Sequence, residues 1–241
     1  MSGACRARRD VCTADVAVVS CHLGDDRDIA LAEAWGLLSQ QETLRARRFH
    51  FDRDRQRYAR ARAFLRREVG QATGQSATGL ILAEGPHGKP FLPGSDLCFN
   101  LSHSGDLAVL ALSWAGPLGI DLEFIDRKAD IDGLSQACLT AQEVAVLAAL
   151  PATARSQRFF AFWTAKEARM KLTGEGMTLP PRQIALTLVA GLPVGYHTPD
   201  TPVAQALFVD IGHSGAICCL AIAQGPHPII SLRNKAFCHV A

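Results

Sequence analysis

The chain has 241 residues, and 48% of them are hydrophobic, so it is long enough to bury a sizeable core as one large domain or two small ones. Its formal net charge of +2 is too small to indicate a protein that binds nucleic acid through its overall charge. Positive charge is nevertheless concentrated in one segment, because residues 45–67 contain ten arginines and only two acidic residues. Any function that needs a basic surface therefore depends on this segment.

The cysteines and the apolar segments of the chain bear on where it works. No two of the eight cysteines show the CxxC spacing of zinc ligands, so we interpret them as free and mostly buried thiols. The first residues lack the apolar run of a signal peptide, and no span of about 18 apolar residues is long enough to cross a membrane. We therefore expect a cytoplasmic protein that binds neither membranes nor nucleic acid.

The first half of the chain is predicted to contain several strands and one long helix. Ser39 and Glu42 have the spacing of a capping box, which predicts a helix that continues through the arginine-rich segment to about residue 73. We expect its apolar residues to pack on one face while the arginines line the other. A loop is predicted over residues 100–105. Strands are predicted at residues 16–19, 79–83, 97–99 and 107–112.

The second half repeats this mixture after a break at Gly116 and Pro117. Residues 118–123 alternate apolar and acidic side chains, which predicts a half-buried strand. Thr140 and Glu143 form a second capping-box pattern, and a long helix is predicted over residues 153–173, ended by glycine. The segment from about residue 179 should complete a second sheet. Its predicted strands are residues 184–189, 204–210, 216–223 and 228–232.

These elements predict an α+β chain of two similar halves, residues 1–116 and residues 117–241. The halves share an order of elements but no residue-level repeat.

Two groups of charged residues in the second half have the spacing of a metal and phosphate site. Asp121 and Glu123 are two apart on a predicted strand, so their carboxylates leave the same face and can converge on one cation; alternatively, they are solvated surface charges. Glu167 and Lys171 are four apart on the predicted helix and share a face with Trp163; alternatively, they form only a helix-surface ion pair. Together, three carboxylates suit Mg²⁺, and the lysine suits phosphate charge.

The sequence Ser102–His103–Ser104 resembles a nucleophile beside a base, but adjacent residues rarely present their side chains to each other. The G-x-S-x-G pattern of hydrolases is also missing. We therefore expect a phosphate-contacting or structural loop, with His103 as a core histidine being the alternative for that residue.

Four segments in this order resemble the Sfp-type 4′-phosphopantetheinyl transferases, and the spacing Trp-x-x-Lys-Glu-Ala resembles their W/KEA branch. Each segment alone is weak, whereas their joint order is specific. The segments are Gly88–Lys89–Pro90, Phe99–Asn100–Leu101–Ser102–His103–Ser104, Gly119–Ile120–Asp121–Leu122–Glu123, and Phe162–Trp163–Thr164–Ala165–Lys166–Glu167–Ala168 with Lys171.

The resemblance implies a pseudo-two-fold α+β monomer with its active site in a cleft between the halves. Such an enzyme transfers the 4′-phosphopantetheine of coenzyme A to a serine hydroxyl of an apo acyl or peptidyl carrier protein and releases adenosine 3′,5′-bisphosphate. The first half would supply coenzyme A phosphate and adenine contacts. The second half would supply the metal ligands and the catalytic helix.

By the same resemblance, Asp121, Glu123 and Glu167 hold Mg²⁺, with Mn²⁺ as an alternative, and Lys171 contacts the reacting phosphate. Either Glu167 or a metal-bound water takes the proton of the acceptor serine. The remaining implied residues contact coenzyme A: Ser102 and His103 at the 3′-phosphate and pyrophosphate, and Lys89 and Pro90 beside the adenine.

The basic segment matches the resemblance less closely. Arg45 lies where the family commonly has a basic residue for the 3′-phosphate, but Glu42 lies near another position that is basic in some relatives. Arg48 or Arg47 would replace that contact.

Two other functions fit parts of the sequence. A metal-dependent coenzyme A or nucleotide pyrophosphatase would use the same three acids with water as the nucleophile. A non-catalytic coenzyme A or carrier-binding module would need no complete set of metal ligands, so the acids argue against it.

Overall fold

A computed structural model describes residues 16–197, 204–223 and 228–234. These residues form two compact units. The first unit contains residues 16–83, 90–115 and 228–234, and the second contains residues 84–89, 116–197 and 204–223.

The first unit has a four-stranded sheet in the order β11 (Ile230–Asn234), β1 (Val16–His22), β5 (Leu107–Ser113) and β4 (Cys98–Ser104). Its β1 is a β-branched, almost wholly buried run that pairs antiparallel with β5 and parallel with β11. One face of β1, formed by Ala17, Val19 and Cys21, joins the apolar core together with helical residues such as Phe64 and Leu65. The strands of the unit are β1 (Val16–His22), β3 (Pro90–Phe91), β4 (Cys98–Ser104), β5 (Leu107–Ser113) and β11 (Ile230–Asn234).

The arginine-rich segment contains a break that the sequence analysis missed. The helix predicted over residues 39–73 is two helices, α2 (Gln40–Ala46) and α3 (Asp52–Thr73), which follow the short α1 (Leu31–Leu37). Asp52 and Asp54 explain the restart at α3, because acidic side chains stabilise the first turn of a helix. The capping box at the start of α2 is confirmed: the side chain of Ser39 accepts a hydrogen bond from the backbone amide of Glu42, and the carboxylate of Glu42 accepts one from the backbone amide of Ser39.

The second unit has a five-stranded antiparallel sheet in the order β6 (Leu118–Phe124), β10 (Ala216–Ala223), β9 (Ala204–Phe208), β8 (Leu192–His197) and β7 (Ala185–Val189). A long helix, α6 (Ala152–Thr173), packs against β6 and β10 and supplies buried Phe159, Phe162 and Met170 to the core. The strands are β6 (Leu118–Phe124), β7 (Ala185–Val189), β8 (Leu192–His197), β9 (Ala204–Phe208) and β10 (Ala216–Ala223). The helices are α4 (Ile131–Cys138), α5 (Ala141–Ala148) and α6 (Ala152–Thr173), followed by 3₁₀ turns at Gly176–Thr178 and Pro181–Gln183.

The two units repeat one order of elements, which confirms the predicted α+β fold of two similar halves. Each has a strand, a short helix, a second short helix with a capping box, and a 22-residue helix. Each long helix ends at a left-handed glycine, Gly74 or Gly174. In each unit the first strand pairs antiparallel with a later one, β1 with β5 and β6 with β10. The active-site cleft and the division of roles at residue 116 stay predictions.

Three local predictions were wrong. Residues 79–82 are not a strand, since only Ala83–Glu84 forms the short β2. The predicted loop over residues 100–105 is mostly the continuation of β4, and the turn is confined to Gly105 and Asp106. The last strand does not join the second sheet, because β11 pairs with β1. Such pairings depend on contacts distant in sequence, which local patterns do not encode.

The sequence predicted free, mostly buried cysteines and no membrane-spanning segment. The five cysteines in the described part of the chain have free thiols, and Cys21, Cys218 and Cys219 are buried. Cys5, Cys12 and Cys238 lie outside it. Among residues 16–197, 204–223 and 228–234, none of the helices combines the length and apolar character needed to cross a bilayer.

Candidate active site

Gly119 allows β6 to lie directly on the backbone of α6. A Cβ added to this glycine would overlap the carbonyl oxygen of Ala168 and the amide nitrogen of Leu172, and would lie 2.8 Å from the carbonyl carbon of Lys171. Any side chain at this position would push the strand away from the helix. Gly119 belongs to one of the predicted motifs, but the local sequence gives no signal of this close approach.

The acidic pair on β6 occupies the same face as this glycine. Successive side chains of a strand point to opposite faces, so residues 119, 121 and 123 share one face. Asp121 and Glu123 therefore project on the side where Gly119 meets α6. Asp121 is 3% exposed and Glu123 is half-buried. The alternative that both acids are solvated surface charges therefore fails for Asp121.

Glu167 and Lys171 of α6 meet these two acids. The ammonium of Lys171 donates to Oδ1 of Asp121 at 2.5 Å. Burial raises the pKa of Glu167 above its usual range, and the nearby charges of Asp121 and Glu123 raise it further, while Lys171 opposes them. Glu167 is therefore close enough to both acids of β6 for their charges to repel it.

The acidic cluster has the oxygen donors of a magnesium site, but its carboxylates do not converge on a single point. Within the described part of the chain, no three His, Cys, Asp or Glu side chains are grouped tightly enough to hold a metal ion. Asp121, Glu123 and Glu167 nevertheless offer only oxygen atoms, which Mg²⁺ prefers. A cation would relieve the repulsion that Asp121 and Glu123 exert on Glu167, so the donor chemistry of these residues fits one although their spacing does not enclose it.

Lys89 binds the backbone at the end of α6. Its ammonium donates to the carbonyl oxygens of Leu118, Lys171 and Leu172, at 2.9, 2.6 and 3.2 Å. It thus joins the start of β6 to the last turn of α6, where a positive charge also interacts favourably with the helix dipole. Its contact with the adenine of coenzyme A stays a prediction.

The remaining predicted coenzyme A contacts belong to the first unit. Ser102 and His103 are adjacent on β4, so their side chains point to opposite faces, and Ser102 is buried while His103 is exposed. This geometry supports the rejection of a serine nucleophile with an adjacent base. Pro90 begins the short strand β3.

Arg45 and Arg48 are exposed near the end of α2. Together with Leu44 and Phe49 they line an open cavity of about 570 Å³. The guanidinium of Arg45 lies 5.8 Å from the centre of the Tyr58 ring. This surface has the charge and the room for a phosphate group.

Glu42, which lies near a position where a basic residue was expected, has a structural role. Its buried carboxylate binds Arg62 at 2.6 Å and Arg66 at 2.5 Å. Burial opposes ionisation, but the charge of Arg62 and the hydrogen bonds from Ser39, Arg66 and Arg62 outweigh it, so the pKa of Glu42 is lowered.

The basic surface is smaller than the sequence predicted, because several arginines are buried or half-buried and bind groups in the interior. Arg60 and Arg66 are buried, and Arg60 donates to the carbonyl oxygens of Leu23 and Ile29 and to Asp26. The expectation that the arginines line one exposed face of a single helix was therefore wrong. The exposed members of the segment are Arg45, Arg47, Arg48 and Arg53.

The chain matches two family models that together cover most of its length. Residues 117–218 match the 4′-phosphopantetheinyl transferase superfamily, and residues 27–115 match the N-terminal part of a 4′-phosphopantetheinyl transferase.

Curated relatives agree with these matches. The 4′-phosphopantetheinyl transferase HetI of Nostoc is 35% identical over 168 residues, covering 68% of this chain and 71% of that protein. A 4′-phosphopantetheinyl transferase of Bacillus subtilis is 28% identical over 68% of this chain and 72% of its own length. The enzyme psf-1 of Bacillus pumilus is 29% identical over 79% of this chain and 82% of its own length.

Proposed function

We propose that this chain, which belongs to the 4′-phosphopantetheinyl transferase superfamily, carries out its reaction at the acidic cluster of β6 and α6. The enzyme transfers the 4′-phosphopantetheine of coenzyme A to a carrier protein. The single observation that carries the proposed site is the ion pair of Lys171 with Asp121, beside Glu123 and Glu167. Two family motifs that are distant in sequence are thereby in contact.

Asp121, Glu123 and Glu167 would hold the divalent cation, Mg²⁺ or alternatively Mn²⁺. When bound, the cation neutralises negative charge on the pyrophosphate and on the leaving adenosine 3′,5′-bisphosphate. Lys171 lies beside the same acids and would neutralise charge on the phosphate under attack.

Glu167 is the protein's own candidate for the general base. Its carboxylate lies in the acidic cluster and would take the proton of the carrier serine as the oxygen attacks phosphorus. A water held by the cation is the alternative base.

The first unit would bind the nucleotide. Arg45 and Arg48 would contact the 3′-phosphate, which their exposed cavity supports. Ser102 and His103 would contact the phosphates, and Pro90 would lie beside the adenine together with the Lys89 loop. The metal ligands and the catalytic helix would come from residues 117–241, in keeping with the predicted division of roles.

The setting of the enzyme is also a proposal. Free thiols at all five described cysteines are typical of a reducing compartment, which supports a cytoplasmic enzyme. We expect it to act as a monomer on an acyl or peptidyl carrier protein.

Mass spectrometry of apo-carrier proteins tests this function. Incubation with enzyme, Mg²⁺ and coenzyme A should add about 340 Da, the mass of the transferred arm, to the carrier serine. A reaction without carrier separates the alternative, because a pyrophosphatase would split coenzyme A there and a transferase would not. An unmodified panel of carriers, with coenzyme A split in their absence, would contradict the proposal.

A further inference from the structure

A buried ion pair lies directly behind the catalytic face of α6. The ammonium of Lys166 binds Oε2 of Glu143 at 2.6 Å, and the two side chains are 0% and 2% exposed. Lys166 precedes Glu167 in the chain, yet it belongs to the interior and Glu167 to the acidic cluster. The reaction described above uses neither member of this pair.

Every polar group of this pair is engaged. Lys166 also donates to the carbonyl oxygens of Cys138 and Pro181, at 3.1 and 3.0 Å. Glu143 accepts from the amides of Thr140 and Leu186, at 2.8 and 3.0 Å. The pair therefore ties α6 to the end of α4, the start of α5, the second 3₁₀ turn and β7.

The first unit contains the same arrangement without an active site. Arg66 is the fifteenth residue of α3, as Lys166 is of α6, and each binds the capping-box glutamate of the preceding short helix. Arg66 also donates to two backbone carbonyls, those of Ala77 and Leu80.

The residues that follow these two cations differ. Arg67 occupies the position in α3 that Glu167 occupies in α6. On β1, the helix-facing residues are apolar, among them Val19 and Cys21, where β6 has Asp121 and Glu123. The first unit thus keeps the buried ion pair and lacks the acids.

We propose that Glu143 and Lys166 are positioning residues, which fix the rotation of α6 so that Glu167 and Lys171 face the acids of β6. Successive helical residues are set about 100° apart, so the bonds of Lys166 determine the direction of Glu167. Such supporting groups are typically worth about 10- to 100-fold in metal affinity or activity. The inference rests on the proposed function, because it assigns a role toward the same acidic cluster.

The matched pairs supply their own control. The double variant Glu143→Gln, Lys166→Met removes both buried charges while keeping similar shapes. Glu42→Gln, Arg66→Met removes the corresponding pair in the first unit, where Arg62 also loses its carboxylate partner. Both proteins are compared with wild type by thermal unfolding, by direct Mn²⁺ titration in the presence of coenzyme A, and by transfer kinetics.

We expect the second-unit variant to bind Mn²⁺ about 10- to 100-fold more weakly and to lose kcat, with little change in the KM for coenzyme A. The first-unit variant should keep the wild-type Mn²⁺ affinity. Wild-type Mn²⁺ affinity in both variants would overturn the inference. Equal weakening in both would also overturn it, since that result would indicate a general loss of stability.

If the second-unit double variant does not fold, Glu143→Asp replaces it. The shorter carboxylate keeps the charge but draws Lys166 out of place, and wild-type Mn²⁺ affinity in this variant would also overturn the inference. Failure of the proposed function is distinguishable, because it would appear as full carrier modification by a protein that has lost Asp121.

Discussion

Lys171 on α6 and Asp121 on β6 form an ion pair with 2.5 Å between Nζ and Oδ1, although they are 50 residues apart in sequence. The contact exists because Gly119 lets the strand lie against the helix backbone. The strand and the helix together therefore place four charged side chains on one surface.

Replacing Gly119 by Ala should separate the strand from the helix. The added Cβ overlaps backbone atoms of Ala168 and Leu172, which cannot move as a flexible side chain does. We expect a loss of roughly 1–3 kcal/mol in the free energy of unfolding together with a loss of transfer activity. Urea unfolding and a transfer assay measure both.

Gly36→Ala is the matched control for that variant. Gly36 lies on α1, and an added Cβ meets nothing within 4 Å. This change should be neutral or stabilise the protein by up to about 1 kcal/mol. Equal destabilisation by both changes would contradict the role given to Gly119.

The 3′-phosphate of coenzyme A should be recognised by the exposed arginines of α2. Each charge-assisted hydrogen bond from Arg45 or Arg48 is worth roughly 1.5–3 kcal/mol. We expect Arg45→Ala to raise the KM for coenzyme A and to leave the KM for 3′-dephospho-coenzyme A unchanged. Equal KM values for the two substrates in the wild-type enzyme would show that these arginines serve another purpose.

Glu42 should contribute stability that is lost in acid. The pKa of its carboxylate in the folded protein is lowered from 4.5. The contribution is therefore fully present above the unfolded pKa and disappears as the pH falls through the folded pKa. Urea unfolding between pH 7 and acid should show a steeper loss for wild type than for Glu42→Gln. The exposed Glu33→Gln should follow wild type, and a Glu42→Gln profile parallel to wild type would count against this assignment.

The other exposed arginines should act on the carrier protein. Carriers of this class are acidic, as the family resemblance implies, and Arg47 and Arg53 remain exposed. Surface charge acts mainly on association and is screened beyond about 8–10 Å at physiological salt. We expect the KM for the carrier to rise steeply with salt, and Arg47→Glu with Arg53→Glu to raise it and flatten its salt dependence. An effect of these reversals on coenzyme A alone would assign both arginines to the nucleotide.

The sequence predicted the parts of the site that depend on local periodicity. Alternation along β6 placed Asp121 and Glu123 on one face of the strand. Helical spacing placed Glu167 and Lys171 on one face of α6. It could not predict that Lys171 pairs with Asp121, because that contact requires β6 to pack on α6.

Buried polar contacts were the main omission. Glu42 was interpreted as a departure from a phosphate site, but it binds Arg62 and Arg66 in the interior. Lys89 was assigned to coenzyme A, yet its ammonium binds three backbone carbonyls. A charged residue gives no local signal of burial, since its partner is chosen by the tertiary fold.

We propose that Asp121, Glu123 and Glu167 form the metal-dependent catalytic site, and this assignment can be tested by mutation. Its most direct test is the rate at which Asp121→Ala converts an apo-carrier to the holo form, measured by mass spectrometry beside wild type, with circular dichroism to verify the fold. We expect a folded protein whose transfer rate is lower by orders of magnitude, because one anionic ligand and the partner of Lys171 are gone. A folded Asp121→Ala protein that modifies the carrier at the wild-type rate would contradict it.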